Sequence, residues 1–355
     1  MVDLWFSSRV CVIDRWEWTD AGRPEVCRCA VAMNDRERFR RLMRGEQVDR
    51  PPLLEEGVRD EVLDLWRKQG MPAGKTHVDV FDLTPHENVG PDLKYVPGYF
   101  GRIFDLSAKE YRKAFDISPR RFPEDWKQTA RRLGKRDHVA CIWASRGFFQ
   151  ALGVGDWPTL EKALIGTVKE PEAVRARMEM YGEFCSCMLE KTMQDVDPEF
   201  IYLSEPISDN HGPLISPDMF QEFMKPVYER IVATAKGLGC DNILLSTYGN
   251  TSRLFPILID AGISMLWISE APEVPELDYR RIRSEFGPEL GLVGGIPLSI
   301  LRSESPDVIR NTLEEIVPSL LQSGRFVPLA GGRVREEIPW SAYRCYREVL
   351  AELIG

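Results

Sequence analysis

The stretch MNDRERFRRLMRGEQVDRPPLLEE, residues Met33 to Glu56, decides how the chain is read. Phe39, Leu42 and Met43 fall on one face of a helical period, and Arg36, Arg38, Arg40, Arg41 and Arg44 surround that face. Gly45 supplies a stop signal, because glycine readily takes the left-handed conformation that ends helices. Pro51 and Pro52 then bias the chain toward an extended approach to the apolar pair Leu53-Leu54. The order is a basic amphipathic helix, a turn and an apolar strand, with Glu55 and Glu56 directly behind the strand.

Beyond this segment, apolar runs and helical periods alternate. Strands are predicted at Pro52 to Glu55, His138 to Ala144, Glu199 to Ser204, Asn242 to Ser246, Ser264 to Ile268, Glu289 to Val293 and Arg325 to Leu329, with one more near Val78 to Leu83. Helices are predicted at Pro123 to Leu133, Glu172 to Asp195, Pro217 to Lys236, Thr251 to Ala261, Glu276 to Phe286, Asp307 to Leu321 and Ser341 to Leu353. Such a β-α succession makes an α/β fold, and the simplest solution is a parallel (β/α)8 TIM barrel, with a doubly wound open sheet as the alternative. The 355 residues, 43% of them hydrophobic, suit one large domain.

A formal charge of −9 argues against a nucleic-acid groove, which needs clustered positive charge to displace counterions from the phosphates. Arg131-Arg132 and Arg280-Arg281 read as solvated helix faces. Eight cysteines in so long a chain form no dense disulfide framework. No uninterrupted apolar span of about twenty residues and no secretory leader appears, so a cytoplasmic location with no membrane contact is expected. The pairs Cys27/Cys29 and Cys185/Cys187 are spaced too closely for a zinc finger, and the second lies in a helical run where its members cannot share a face. Residues 1–32 mix Trp5, Phe6, Trp16 and Trp18 with charges in no targeting pattern; they read as an N-terminal extension, and the change of pattern favours Met33 as the translation start.

The segment Met33 to Glu56 resembles the opening of the uroporphyrinogen decarboxylase superfamily, which includes the decarboxylase and methyltransferases serving corrinoid proteins. GPLISPDMFQEFMKPVYERIV (Gly212 to Val232) and GLVGGIPLSILRSESPDVIRNTLEEIV (Gly291 to Val317) resemble later segments of that superfamily, in the same order. The resemblance implies a TIM barrel over residues 33–355.

In such a barrel the chemistry lies at the carboxyl ends of the strands. The polar residues that follow the apolar runs are Glu55, Asp82, His86, Arg146, Glu205, Asp209, Ser246, Tyr248, Asn250, Glu270 and Arg333. Glu205 and Tyr248 are expected as proton donors or substrate orienters, with Asn250 beside them, and the remaining residues are expected to bind substrate. Carboxylates at a barrel mouth serve acid-base work, and arginines there fork onto carboxylates or phosphates. His211, beside Gly212-Pro213, reads as an ordinary loop residue.

Departures from the superfamily narrow the chemistry. Where its zinc-dependent methyltransferases carry a His-x-Cys-Gly or similar element, this chain has Ser246-Thr247-Tyr248-Gly249-Asn250. The last strand runs into Leu329-Ala330-Gly331-Gly332-Arg333, without thiol or imidazole, so no bound zinc is expected. Where the decarboxylase has an Arg-Gln-Ala-Gly-Arg-Tyr run for its polycarboxylate substrate, this chain has Leu53-Leu54-Glu55-Glu56-Gly57-Val58-Arg59. Three readings stay open. The first is demethylation of a small substrate, with no tightly bound cofactor and a corrinoid carried by a partner protein. The second is decarboxylation of a carboxylated substrate anchored by Arg146, Arg333 or Arg335. The third is a barrel that binds a small molecule or partner without catalysis.

Overall fold

A computed structural model describes residues 33–96, 99, 105–270 and 273–355. The expectations for residues 1–32, and for Cys27 and Cys29 within them, lie outside the described residues. Met33–Gly355 forms one compact unit.

Seven strands, β1 (His86–Val89), β2 (Val139–Ser145), β3 (Phe200–Glu205), β4 (Ile243–Tyr248), β5 (Met265–Ser269), β6 (Gly291–Ile296) and β7 (Phe326–Ala330), pair in parallel and in chain order. They form a curled half-barrel of the TIM type rather than the closed eight-stranded barrel expected. Two of the expected strands are corrected. Val78 to Leu83 is mostly a short helix, His77–Phe81, capped by Thr76, and the strand comes later, at His86. Pro52 to Glu55 makes no ladder, because proline has no N–H to donate. The extended segment still bridges the two sheet edges: Leu53 N donates to Thr84 Oγ1 (3.0 Å), Thr84 N donates to the Leu53 carbonyl (2.9 Å), and Val58 pairs with Val334.

Alternation along the strands sorts the side chains into two layers. Val139, Cys141, Phe200, Leu244, Met265, Trp267, Val293, Val327 and Leu329 converge in the lumen. Their neighbours Ala140, Ile142, Ile201, Leu203, Ile243, Leu245, Leu266 and Ile268 pack against the surrounding helices. The helix Asp35–Met43 closes the amino-terminal end of the lumen. Asn34 caps it by accepting from Glu37 N (2.8 Å), and Phe39, Leu42 and Met43 enter the lumen cluster as the helical period requires. Its arginines turn to acids where strands begin, with Arg36 pairing with Asp197 (2.7 Å) and Glu199 (2.6 Å). The plugged amino-terminal end leaves the carboxyl-terminal end as the way in. No helix among the described residues is long and apolar enough to cross a membrane.

Candidate active site

Because Tyr202, Leu244 and Met265 face the lumen, Ser204, Ser246, Tyr248 and Ser269 face it too, two or four residues farther along their strands. On the bridging segment Leu54 points inward, and so does Glu56. Glu56 crosses the lumen to accept from Ser269 Oγ at 2.8 and 3.0 Å.

The electrostatics centre on Glu56. Its carboxyl is pushed up to about 7, first by desolvation and then by the charges of Glu55 and Glu270, while Ser269 and Arg333 pull it down. Near neutral pH a large fraction of it is therefore an acid that can donate. Burial, and then the charge of Glu56, raise the pKa of Tyr248, which stays a hydroxyl. Tyr202, raised chiefly by burial, bonds to Ser246. Aromatic faces line the wall: Trp143 meets Tyr202 edge-on at 5.3 Å, and Tyr202 meets Trp267 at 6.4 Å. The Trp267 indole N–H is buried without a hydrogen-bond partner, as is Arg146 Nε, whose guanidinium lies 4.2 Å from the Trp143 ring centroid. At the mouth Glu270 pairs with Arg335, while exposed Arg333 has neither a hydrogen bond nor an ion pair among the described residues.

The structure thus gathers Ser246, Tyr248, Glu270, Arg333 and Arg146 around one opening, and it places the other expected residues elsewhere or in other roles. Glu205 is wholly buried and turned into the helical layer, where it accepts from Phe148 N at 3.1 and 3.2 Å and from Tyr228 Oη at 2.5 Å. Glu55 is turned outward to Tyr343 Oη (2.9 Å) and Arg347 (3.6 Å). In both cases the adjacent residue takes the lumen position, because a register step of one residue reverses the face. Asp82 caps the helix that precedes β1, on the amino-terminal side of the strand, and lies away from the mouth. The Asp209 carboxylate is exposed and holds its own loop through His211 N (2.7 Å) and Gly212 N (3.0 Å). Asn250 accepts from Ser252 Oγ (2.7 Å) and shapes the turn after β4.

His86 is corrected too: it begins β1 rather than following a strand, so it shares the lumen face with Val139 at the amino-terminal foot, away from the mouth, accessible to solvent yet surrounded by enough protein to lower its pKa. Glu56, Tyr202, Trp143 and Trp267 were missed as a set.

Gly249 fixes the mouth. Its φ is +65°, and a Cβ there would lie 2.4 Å from the Asp209 carbonyl oxygen, which Asn250 N already bonds at 2.7 Å. Gly249→Ala should therefore cost roughly 2–4 kcal/mol, by left-handed strain plus a backbone clash. A denaturant midpoint equal to that of the wild type would contradict this.

Among the described residues, no three His, Cys, Asp or Glu side chains are grouped so as to hold a metal ion. The family model for uroporphyrinogen decarboxylase (URO-D) matches residues 155–342, just over half of the 355 residues. The chain belongs to the uroporphyrinogen decarboxylase family. It is also similar to a methyltransferase from Methanosarcina mazei, with 16% identity, TM-score 0.61, and 91% of this chain and 100% of that one covered, a likeness of fold. A Listeria monocytogenes protein described as a vitamin-B12-independent methionine synthase is more remote, with 12% identity, TM-score 0.40, and 87% and 98% covered. No curated protein matches the chain. Within the uroporphyrinogen decarboxylase family the match takes in β3 to β7 and so most of the lumen wall, whereas Glu56 lies before it.

Proposed function

We propose that this member of the uroporphyrinogen decarboxylase family is an enzyme that removes a methyl group from a small O- or N-methylated substrate held in the lumen. The observation that supports this reading is Glu56, an acid with a pKa near 7 that lies near Tyr248 on a lumen face shared with the rings of Tyr202, Trp143 and Trp267. Breaking a methyl–oxygen or methyl–nitrogen bond leaves the electron pair on the heteroatom, and Glu56 gives that atom a proton, then regains one from solvent. A corrinoid on a partner protein, as the superfamily resemblance implies, would supply the nucleophile that takes the methyl group. Arg333 and Glu270 are exposed at the mouth, so an acceptor presented by another protein would approach from that side. Tyr202, Trp267 and Trp143 would hold an apolar substrate body and keep water from the departing group.

Decarboxylation is the second reading, favoured by the unpartnered Arg146 Nε and the unpaired Arg333, either of which fits a carboxylate. Incubation with methyl ethers and methylamines plus reduced cobalamin, or with carboxylated substrates, separates the two. Demethylated product supports the first reading, and carbon dioxide release without demethylation overturns it. In the demethylation assay Arg333→Ala should lower kcat/KM by no more than about threefold, because no substrate charge needs it. A rise in KM of about tenfold or more, with kcat unchanged, would mark a lost carboxylate anchor and favour decarboxylation.

A further inference from the structure

A cavity of about 600 Å³ lies beside the lumen. β5 and β6 pair only between Met265–Trp267 and Gly291–Val293. Above that point the Tyr279 hydroxyl stands between them, accepting from Ile268 N (3.0 Å) and donating to the Val293 carbonyl (2.8 Å). The strands diverge there without leaving those two backbone groups unsatisfied, so the split is a built feature. Two glycines make room for it: a Cβ on Gly295 would lie 2.7 Å from the Tyr279 ring, and one on Gly332 would lie 2.7 Å from Leu298 Cδ1. A backbone bond from Glu270 N to the Gly331 carbonyl (2.8 Å) joins the tips of β5 and β7 and separates this cavity from the lumen.

The lining is two-sided. Leu277, Ile296, Leu298 and Ile316 are buried and form an apolar floor. Around the rim every guanidinium is already neutralised: Arg335 by Glu270, Arg280 by Asp278 (2.6 Å) and Glu315 (2.5 Å), and Arg302 by Glu337 (3.1 Å). The rim holds five carboxylates against three guanidiniums, and Glu273 has no ion-pair partner among the described residues. An anion would have to displace a carboxylate to reach an arginine, whereas a cation meets excess negative charge. A volume of this size is typical of small-molecule sites.

We propose that this side cavity binds a protonated amine carried on an apolar body, at a site distinct from the lumen. The proposal does not depend on the methyl-transfer reading. Calorimetric titration of the full chain with hexylammonium, hexanoate and hexanol tests it. Hexylammonium should bind saturably at one site and at least tenfold more tightly than hexanoate. Ser299→Trp or Thr312→Trp, each filling the cavity from its wall, should abolish binding, and Glu273→Lys at the exposed rim should weaken it about tenfold. Glu56→Gln should leave it unchanged, which keeps this result separate from the fate of the lumen reading. No binding up to about 10 mM, equal binding of hexanoate, or full affinity in Glu273→Lys would each overturn the assignment.

Discussion

Glu56→Gln is expected to leave the protein folded and to lower turnover by roughly 10²–10⁴-fold, the span usual for a positioned proton donor. Glutamine keeps the shape and can still accept from Ser269 Oγ, but it has no proton to give. The wild-type pH profile should carry the same signature. Desolvation first, then Glu55 and Glu270, hold the Glu56 carboxyl near 7 against an ordinary 4.5, so the donating form is present below that value and is lost above it. Turnover should therefore fall as pH rises through about 7. Stability gives an independent reading of the same group. A carboxyl whose folded pKa is raised weakens the fold once it ionises, so at pH 8 the glutamine variant should melt no lower than the wild type. If turnover per folded molecule is unchanged in Glu56→Gln, the acid lies elsewhere, and loss of stability without loss of rate would make Glu56 a structural residue.

The sequence carried the fold at the level of elements because strands β2 to β7 are short apolar runs bounded by glycine or polar residues, and each lies within three residues of its expected position. Burial on one face enforces such runs whatever the register. The misreadings have physical causes. His77–Phe81 is apolar enough for a strand, yet Thr76 and Asp79 form a reciprocal cap that starts a helix. Pro217 to Lys236 reads as one helix, yet Pro226 lacks the N–H to continue it, and the chain breaks at Met224 into Pro217–Phe223 and Lys225–Gly237. The site was harder to read for a sharper reason. At Glu55-Glu56 and Ser204-Glu205 both neighbours are polar, so hydrophobic patterning cannot say which faces in, and only the three-dimensional register decides.

Glu205 is the test of that register. Its carboxyl lies in the helical layer with two donors aimed at it, Phe148 N and Tyr228 Oη, and Gly147, at φ +87°, leaves it room, since a Cβ there would sit 2.6 Å from Glu205 Oε1. Glu205→Ala should strand both donors in an apolar cavity and cost about 3–5 kcal/mol, while turnover per folded molecule stays unchanged. The pH dependence is more diagnostic. Burial pushes the Glu205 carboxyl up to about 7, from 4.5 when solvated, outweighing the hydrogen bonds that favour the charged form. The folded state thus holds its proton across that interval while the unfolded state gives it up. Stability from this group is fully present below about 4.5 and is lost as pH rises toward 7, by roughly 3 kcal/mol in all. In Glu205→Gln no such ionisation occurs, and Tyr228 can turn its hydroxyl to accept from the amide. Denaturant midpoints measured from pH 4.5 to 8 should fall less steeply for Glu205→Gln than for the wild type, with turnover retained. Parallel stability curves would show that Glu205 is solvated and ionised like a surface carboxylate, and a hundredfold loss of turnover would return it to the lumen and shift β3 by one residue.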